Sequence, residues 1–240
     1  MKERVEVIHG KLPIILVAPH GPNDCYTGEL TKSCANSLDC NAIINWGFNR
    51  ADNVDVLNDK ADCNRVDHIR QDVLYEEFLN PLLDLRLRTE LAAKKSPNKK
   101  AYIYYLHGFG IQVEVANKSP VDLILGYGAA ELNPCYTCPS WMVDMMIHVW
   151  NYRKTSSHNS VYCGGPGGKY SARNINNLCQ YFLRHKGDHK INCLQIEISS
   201  RFRENANEAM WNGIDLANAF YKIYEEGQFD GDTYDRQYIV

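Results

Sequence analysis

Three predominantly apolar runs constrain the fold of this chain more than any other feature. They are Leu12–Ala18 (LPIILVA), residues 101–106 (AYIYYL) and Ile191–Ser199 (INCLQIEIS). Such runs, rich in β-branched and aromatic residues, are typical of strands that are buried on both faces. Strands of this kind occur in parallel sheets covered by helices. We therefore expect these three strands to belong to a largely parallel α/β sheet that helices cover on both faces.

Helical patterns and shorter strands separate and follow the three runs. Helices are predicted at residues 29–38, 72–95, 139–154, 174–185 and 204–226, and further strands at 41–46, 121–125 and 160–163. Pro81 is expected to kink or divide the helical segment that contains it, because proline cannot donate a backbone hydrogen bond. Alternating strands and helices predict one α/β domain over residues 1–240, with a mixed, mostly parallel sheet and helices on both faces.

Composition and charge exclude several functional classes. The 240 residues carry a formal net charge of −3, without the basic stripe typical of nucleic-acid binding. The longest apolar stretches fall short of the ~20 residues that span a membrane, and the N-terminus lacks the apolar region of a secretory signal. Nine cysteines, an odd number, favour reduced thiols over a disulfide framework. We expect a cytoplasmic protein without nucleic-acid or membrane partners; its oligomeric state stays open.

Potential metal ligands stand at the ends of the three long apolar runs. His20 follows the first run, His107 follows the second, and Glu197 lies near the end of the third. Ligands bind α/β sheets beyond the carboxyl ends of the strands. Imidazoles and a carboxylate are the ligands of catalytic zinc, which keeps one position for water. The pattern predicts a zinc site, although hydrogen-bonded scaffold histidines and an ion-paired Glu197 are the alternatives.

Two Asn-Arg pairs are candidates for substrate contacts. In ADCNRVDH, residues 61–68, Asn64 and Arg65 offer an amide beside a guanidinium fork, which suits two-pronged capture of a substrate carboxylate. Upstream, Arg50 could polarise a carbonyl or stabilise an oxyanion. Each arginine could instead be an ordinary surface ion-pair partner.

The glycine-rich segment GGPGGKYSA, residues 164–172, does not match a phosphate-binding loop. Lys169 is followed by Tyr170, whereas that loop requires serine or threonine after its lysine. We expect a loop that borders the site, with Tyr170 covering the substrate. A plain surface loop is the alternative.

The order of these motifs resembles the N-formylglutamate amidohydrolase family. APHGP with DCYTGEL, then DCNRVDH, YLHGFG and LQIEIS follow one another between residues 14 and 203. The family consists of zinc enzymes related in fold to metallocarboxypeptidases. The resemblance implies that His20 and His107 are zinc ligands and that Glu197 is the general base. It also implies that Arg65, helped by Asn64, holds the substrate carboxylate and that Arg50 polarises the carbonyl.

The sequence departs from the resemblance at the third zinc ligand. Metallocarboxypeptidase-like sites carry a glutamate three residues after the first histidine, and this chain has Asn23 there. We assign the third ligand to the neighbouring carboxylate, Asp24, with Glu29 as the alternative.

The resemblance implies a zinc-dependent hydrolase for a small substrate with a carboxylate. The expected reaction is cleavage of the amide bond of an N-acyl amino acid, such as an N-formyl amino acid. One alternative is a carboxypeptidase-like peptidase that acts on a peptide or cell-wall fragment. The other is a non-catalytic small-molecule binding protein on the same fold.

Overall fold

The structure is a computed structural model that describes residues 3–97, 99–110, 121–128, 136–153, 161–163, 170–185 and 191–227. Seven strands form one sheet in the order β1-β3-β2-β4-β7-β5-β6. The strands are β1 (Val5–Ile8), β2 (Leu12–Ala18), β3 (Cys40–Asn45), β4 (Ala101–Phe109), β5 (Leu123–Gly126), β6 (Val161–Cys163) and β7 (Ile191–Ser199).

Helices connect and cover these strands. They are α1 (Thr27–Leu38), α2 (Val66–Ile69), α3 (Asp72–Leu74), α4 (Asn80–Ala93), α5 (Ser140–Arg153), α6 (Leu178–His185) and α7 (Ala206–Glu226). Short 3₁₀ turns occur at Val56–Asn58 and Ser200–Phe202. None of the helices in the described ranges combines the length and the apolar character of a transmembrane span.

The sheet is mixed, with a parallel centre. Strands β3, β2, β4 and β7 run parallel, whereas β1 and β5 pair antiparallel with β3 and β7. At its outer edge, β6 runs parallel to β5. This architecture confirms the predicted mostly parallel α/β sheet. The strands predicted at 12–18 and 191–199 coincide with β2 and β7 residue for residue.

The side chains of the central strands alternate between two apolar cores, as the two-residue period of a strand requires. One core packs on α1, α5 and α7 and the other on α4 and α6, so helices cover both faces as predicted. In β4 and β7 the first core takes Tyr102, Tyr104, Leu106, Leu194, Ile196 and Ile198. The second takes Ile103, Tyr105 and Cys193. His107 and Glu197 continue this second face to the carboxyl edge.

Pro81 divides the long helical segment between residues 72 and 95, as predicted. A π-helical turn at Tyr75–Leu79 joins α3 to α4, and Pro81 lies in the first turn of α4. Proline has no N–H to donate to the preceding turn, and the π-helical turn lies directly before the helix that contains it.

Other boundaries differ from the sequence prediction. Strand β1 was not predicted. Helix α6 begins at Leu178 instead of residue 174, because the Asn174 side chain accepts from the N–H of Asn176 in a turn and the Asn177 side chain accepts from the N–H of Cys179. Asparagine side chains compete with helical hydrogen bonds in this way. Of the glycine-rich segment, residues 164–169 lie outside the described residues.

Candidate metal centre

His20, Asp24 and His107 come together at the carboxyl edge of β2 and β4. The Nδ1 atoms of the two histidines are 3.1 Å apart, and their ring centroids are 4.8 Å apart. Asp24 Oδ2 lies 3.6 Å from Nδ1 of His20 and 3.8 Å from Nδ1 of His107. Three potential metal-ligand atoms therefore lie within 3.8 Å of one another.

The spacing of these three atoms fits a zinc ion. Tetrahedral zinc with bonds of about 2.0–2.1 Å separates its ligand atoms by roughly 3.3 Å. The separations between the two nitrogens and the oxygen are 3.1, 3.6 and 3.8 Å. Two imidazoles and one carboxylate also form a ligand set that is typical of catalytic zinc. The residues present therefore fit this metal.

Asp62 orients the imidazole of His20. Its Oδ1 lies 2.7 Å from His20 Nε2, and a carboxylate can only accept, so Nε2 carries the hydrogen. In the neutral ring, Nδ1 then presents its lone pair toward Asp24 and His107. A carboxylate behind a histidine ligand is a common arrangement in zinc sites, where it fixes the ring and raises its basicity.

The two histidines differ in charge preference. Burial disfavours the cation of His20, but hydrogen bonding and attraction from Asp24 and Asp62 outweigh burial and raise its pKa to about 9. Burial, together with repulsion from His20, lowers the pKa of His107 to about 3. His107 is therefore neutral, whereas His20 would have to release its Nδ1 proton when a metal ion binds. Its buried Nε2 has no hydrogen-bond partner in the described ranges.

A tight turn after β2 positions Asp24. The backbone N–H groups of Asn23 and Asp24 both donate to the carbonyl of His20, which folds the chain back toward the sheet. Gly21 makes this possible, because a Cβ atom there would lie 2.1 Å from the carbonyl oxygen of Asn45. The N–H of Gly108 then donates to Asp24 Oδ2 at 2.9 Å. Glu29 lies in α1 and is not part of this group.

Glu197 stands beside the metal centre on the next strand. It pairs in register with His107, and adjacent strands lie about 4.8 Å apart. Burial raises the pKa of Glu197 to about 8, helped by the negative charge of Asp24 and opposed by His20, Arg50 and Arg203. A buried carboxyl with a pKa near neutrality is suited to proton transfer.

Two amide side chains hold the Glu197 carboxyl in place. Gln195, on the same face of β7, donates to Glu197 Oε1 at 3.0 Å, and its own oxygen accepts from Asn177 at 2.9 Å. This short relay fixes the direction of the carboxyl group. Sequence reasoning did not single out Gln195 or Asn177. Gln195 was detectable as a polar residue two positions before Glu197, on the same face of the strand.

Arg50 lies near the centre because it pairs with Asp62, which contacts His20. Its Nε is 3.4 Å from Asp62 Oδ2, and its side chain is 62% exposed. Its backbone N–H donates to the side chain of Asn23, at the position where the resemblance led us to expect a glutamate. The guanidinium is thus close to the centre and open to solvent.

Asn64 and Arg65 continue the same loop but face different partners. The N–H of Asn64 donates to Asp62 Oδ1, whereas its own Oδ1 is buried without a hydrogen-bond partner among the described residues. The Arg65 guanidinium forms two hydrogen bonds with Asp67, and its side chain is 37% exposed. Asn64 is therefore hydrogen-bonded to Asp62, whereas the Arg65 guanidinium points toward Asp67.

Tyr170 packs near the strand that carries Glu197. It lies on the small apolar cluster of Phe109, Val121 and Ile124, and Ile124 pairs in register with Glu197. Its backbone is left-handed, with φ of 70°. The placement brings Tyr170 to this edge of the sheet; its contact with substrate remains a prediction.

Sequence reasoning missed Asp62 although it lies in the same motif as Asn64 and Arg65. Asp62 precedes Asn64 by two residues, and it is buried with its pKa lowered to about 2. Burial opposes that shift, but the hydrogen bond and charge of His20 outweigh it. An acidic residue between apolar Ala61 and Cys63 was the available signal, since buried carboxylates need a partner.

Solved structures share this architecture. N-formylglutamate amidohydrolase from Ralstonia eutropha JMP134 superimposes with a TM-score of 0.58 at 14% identity, over 95% of this chain and 99% of that one. This chain has the N-formylglutamate amidohydrolase fold. The same fold appears in a gene product of Agrobacterium tumefaciens, with a TM-score of 0.57, 13% identity and coverage of 93% and 96%.

A more distant structure extends the comparison. Bacteriophage poly-gamma-glutamate hydrolase matches the chain with a TM-score of 0.50 and 15% identity, over 92% of this chain and 87% of that one. No family model matches the sequence, and no curated protein does. The N-formylglutamate amidohydrolase resemblance that the motifs indicate is thus confirmed in the fold.

Proposed function

We propose that this protein is a zinc-dependent hydrolase that cleaves the amide bond of a small N-acyl amino acid. The convergence of His20, Asp24 and His107, with donor atoms 3.1–3.8 Å apart, carries the proposal. The Asp62 carboxylate behind His20 and the buried Glu197 on the next strand support it.

The four side chains divide the work between metal binding and proton transfer. Nδ1 of His20, Nδ1 of His107 and a carboxylate oxygen of Asp24 would hold the ion. Bound zinc would polarise the substrate carbonyl and lower the pKa of a water molecule to ~7. Glu197 would accept the proton of the attacking water and return it to the leaving nitrogen. Burial raises the pKa of Glu197, which favours holding the proton between the two steps.

Two arginines would select and orient the substrate. The exposed guanidinium of Arg50 beside Asp62 can donate to the carbonyl oxygen as negative charge develops there. Arg65 would exchange Asp67 for a substrate carboxylate, with Asn64 beside it and Tyr170 over the substrate. Two proteins of this fold are named for reactions on N-formylglutamate and poly-gamma-glutamate, both carboxylate-bearing amides. These names favour a substrate of the same class.

The test combines metal analysis with a substrate screen. Protein purified without chelator or histidine tag should contain about one equivalent of zinc and release amine from one or more N-acyl amino acids, N-formylglutamate included. His20→Ala and His107→Ala should lose zinc and activity while remaining folded. His9→Ala, at an exposed histidine, is the matched control and should keep both.

Three outcomes would contradict the proposal. Cleavage of peptides alone would indicate the carboxypeptidase-like alternative. Binding of N-acyl amino acids without turnover, by protein that takes up no zinc, would indicate a binding protein. Full activity in both histidine variants would show that the metal centre is not the site of reaction.

A further inference from the structure

Arg203 is a buried cation whose hydrogen bonds go to backbone carbonyls. Arg203 lies directly after the 3₁₀ turn that follows β7, and the residue is 5% exposed. Nη1 donates to the Cys25 carbonyl at 2.6 Å, Nη2 to that of Phe109 at 3.1 Å and Nε to that of Ile198 at 3.2 Å. Within the described part of the chain, none of its hydrogen bonds reaches a carboxylate.

The three acceptors belong to the three segments that carry the candidate centre. Cys25 follows Asp24 in the turn after β2. Phe109 ends β4, two residues after His107, and Ile198 follows Glu197 in β7. One guanidinium therefore ties together three segments, and each acceptor lies within two residues of Asp24, His107 or Glu197. Arginine suits this position because its planar group carries five N–H donors in a fixed arrangement.

Gly108 provides the space for this guanidinium. A Cβ atom at Gly108 would lie 2.1 Å from Arg203 Nη2 and 2.2 Å from its Cζ. Strand alternation places Gly108 on the opposite face of β4 from His107, so Arg203 supports the centre from behind the sheet. On its own backbone, the N–H of Gly108 donates to Asp24 Oδ2. Gly108 therefore contacts the Arg203 guanidinium on one side and donates a hydrogen bond to the Asp24 carboxylate with its backbone.

Burial of this charge is costly, which points to a specific role. Removing a guanidinium from water costs free energy unless hydrogen bonds and nearby opposite charges compensate. Burial lowers the pKa of Arg203, whereas Asp24, Cys25 and Glu197 act to raise it. Asp24 and Glu197 are therefore close enough to interact with its charge.

We propose that Arg203 is a positioning residue of the candidate zinc site, an inference that rests on the proposed function. It acts through the backbone: its three hydrogen bonds hold the Asp24 turn against the ends of β4 and β7. Asp24 Oδ2 and His107 Nδ1, the two metal-ligand atoms, are then held at the separation that zinc requires before the ion binds. Loss of these hydrogen bonds should loosen the turn and weaken zinc binding, because preorganised ligands bind with less ordering cost.

Arg203→Met tests the inference, with Arg86→Met as the matched control. Arg86 is also buried, and it donates to the Phe182 carbonyl and the Glu90 carboxylate, away from the centre. Both variants should lower the melting temperature. Arg203→Met should also raise the Kd for Zn²⁺ by ~10–100-fold in chelator competition, as loss of a supporting group does at metal sites. Arg86→Met should leave that Kd unchanged.

Two metal-related readouts separate positioning from general stability. The visible absorption of bound Co²⁺ should change in Arg203→Met, because it reports the arrangement of the ligands. Amide hydrogen exchange in residues 20–27 and 107–109 should become faster than in wild-type protein. Neither signal should change in Arg86→Met.

Gly108→Ala reaches the same contact from the other side. The added methyl group should displace the guanidinium and reproduce the weaker zinc binding while Arg203 is still present. In an Arg203→Ala background, the same methyl group should add little further loss, since contacting residues are not additive. Equal, independent losses in the two backgrounds would contradict the contact.

The inference and the proposed function fail in different ways. Wild-type protein that binds no Zn²⁺ overturns the proposed function and this inference with it. Wild-type and Arg203→Met proteins with the same Kd for Zn²⁺ and the same exchange at residues 20–27 overturn the inference alone.

Discussion

Adjacent residues in the turn after β2 have different tasks. Asn23 directs its side-chain oxygen to the backbone N–H of Arg50, whereas the carboxylate of Asp24 faces His20 and His107. The N–H of Gly108 reinforces the second arrangement. A shift of one residue in a turn thus changes which side chain reaches the centre.

Replacing Glu197 with glutamine should separate proton transfer from stability. The amide keeps the shape of the carboxyl but cannot accept a proton, so turnover should fall by ~10²–10⁴. Zinc content should be unchanged, and the melting temperature should stay the same or rise, because a costly buried carboxyl is removed. Rates and thermal unfolding of the same preparation provide the measurement. Retained turnover with a lowered melting temperature would assign Glu197 a structural role.

Arg65→Lys should weaken substrate binding although the charge is kept. A lysine ammonium is a point charge and cannot reproduce a planar, two-pronged contact with a carboxylate. KM for the substrate found in the screen should rise strongly. Arg88→Lys is the control, because Arg88 is likewise exposed and paired with an aspartate, Asp84 on α4. If both substitutions leave KM unchanged, Arg65 is only the partner of Asp67.

At the scale of elements, the pairing of β4 with β7 builds the centre. Parallel pairing continues from Ala101–Ile191 to Phe109–Ser199, so His107 and Glu197 are neighbours on one face. Helices α1 and α7 pack on the opposite face. Their close approach depends on Gly213, where a Cβ atom would lie 2.5 Å from the carbonyl oxygen of Leu30.

Gly213→Ala should therefore destabilise the protein, although the same substitution usually stabilises a helix. Alanine in place of glycine ordinarily stabilises a helix by up to ~1 kcal/mol. Here the methyl group should push α7 away from α1 and give a net loss of about 1–3 kcal/mol, the usual cost of overpacking. Asn218→Ala, on the exposed face of α7, should gain stability slightly. Urea unfolding of the two variants measures both effects, and a stabilised Gly213→Ala would disprove the close contact.

At the scale of the whole molecule, both faces of the sheet bury thiols. Cys34 and Cys40 lie in one core, and Cys63, Cys179 and Cys193 lie in the other, whereas Cys25 is exposed. Burial raises the pKa of the buried thiols, that of Cys193 to about 12. The thiolate is the reactive form, so a raised pKa keeps these groups protonated and unreactive at pH 8.

Alkylation of native protein at pH 8 should therefore label Cys25 and spare these five buried cysteines. Peptide mapping by mass spectrometry after a timed iodoacetamide treatment measures the labelling at each site. Denatured protein should be labelled at these five positions as well as at Cys25, and Cys25→Ser should lose the native signal assigned to Cys25. Labelling of Cys179 or Cys193 in native protein at the rate of Cys25 would contradict the buried cores.

Local patterns in the sequence were sufficient to predict the central strands and the edge where the chemistry lies. Predominantly apolar runs predicted β2, β4 and β7, because a strand buried on both faces needs apolar side chains on both sides. The ends of these runs predicted His20 and His107, since parallel strands present their carboxyl ends at one edge. Asp24 was predicted because it is the carboxylate nearest to Asn23, the position where the resemblance implies a glutamate.

Tertiary structure alone decided which distant groups meet at that edge. Asp62 reaches His20 across 42 positions, and Arg203 reaches Cys25 across 178. Such contacts depend on strand order and on the course of loops, which local periodicity does not encode. The antiparallel pairing of β1 and β5 is of the same kind. The turn of Arg65 toward Asp67 is local, yet it depends on side-chain torsions that a residue pattern does not specify.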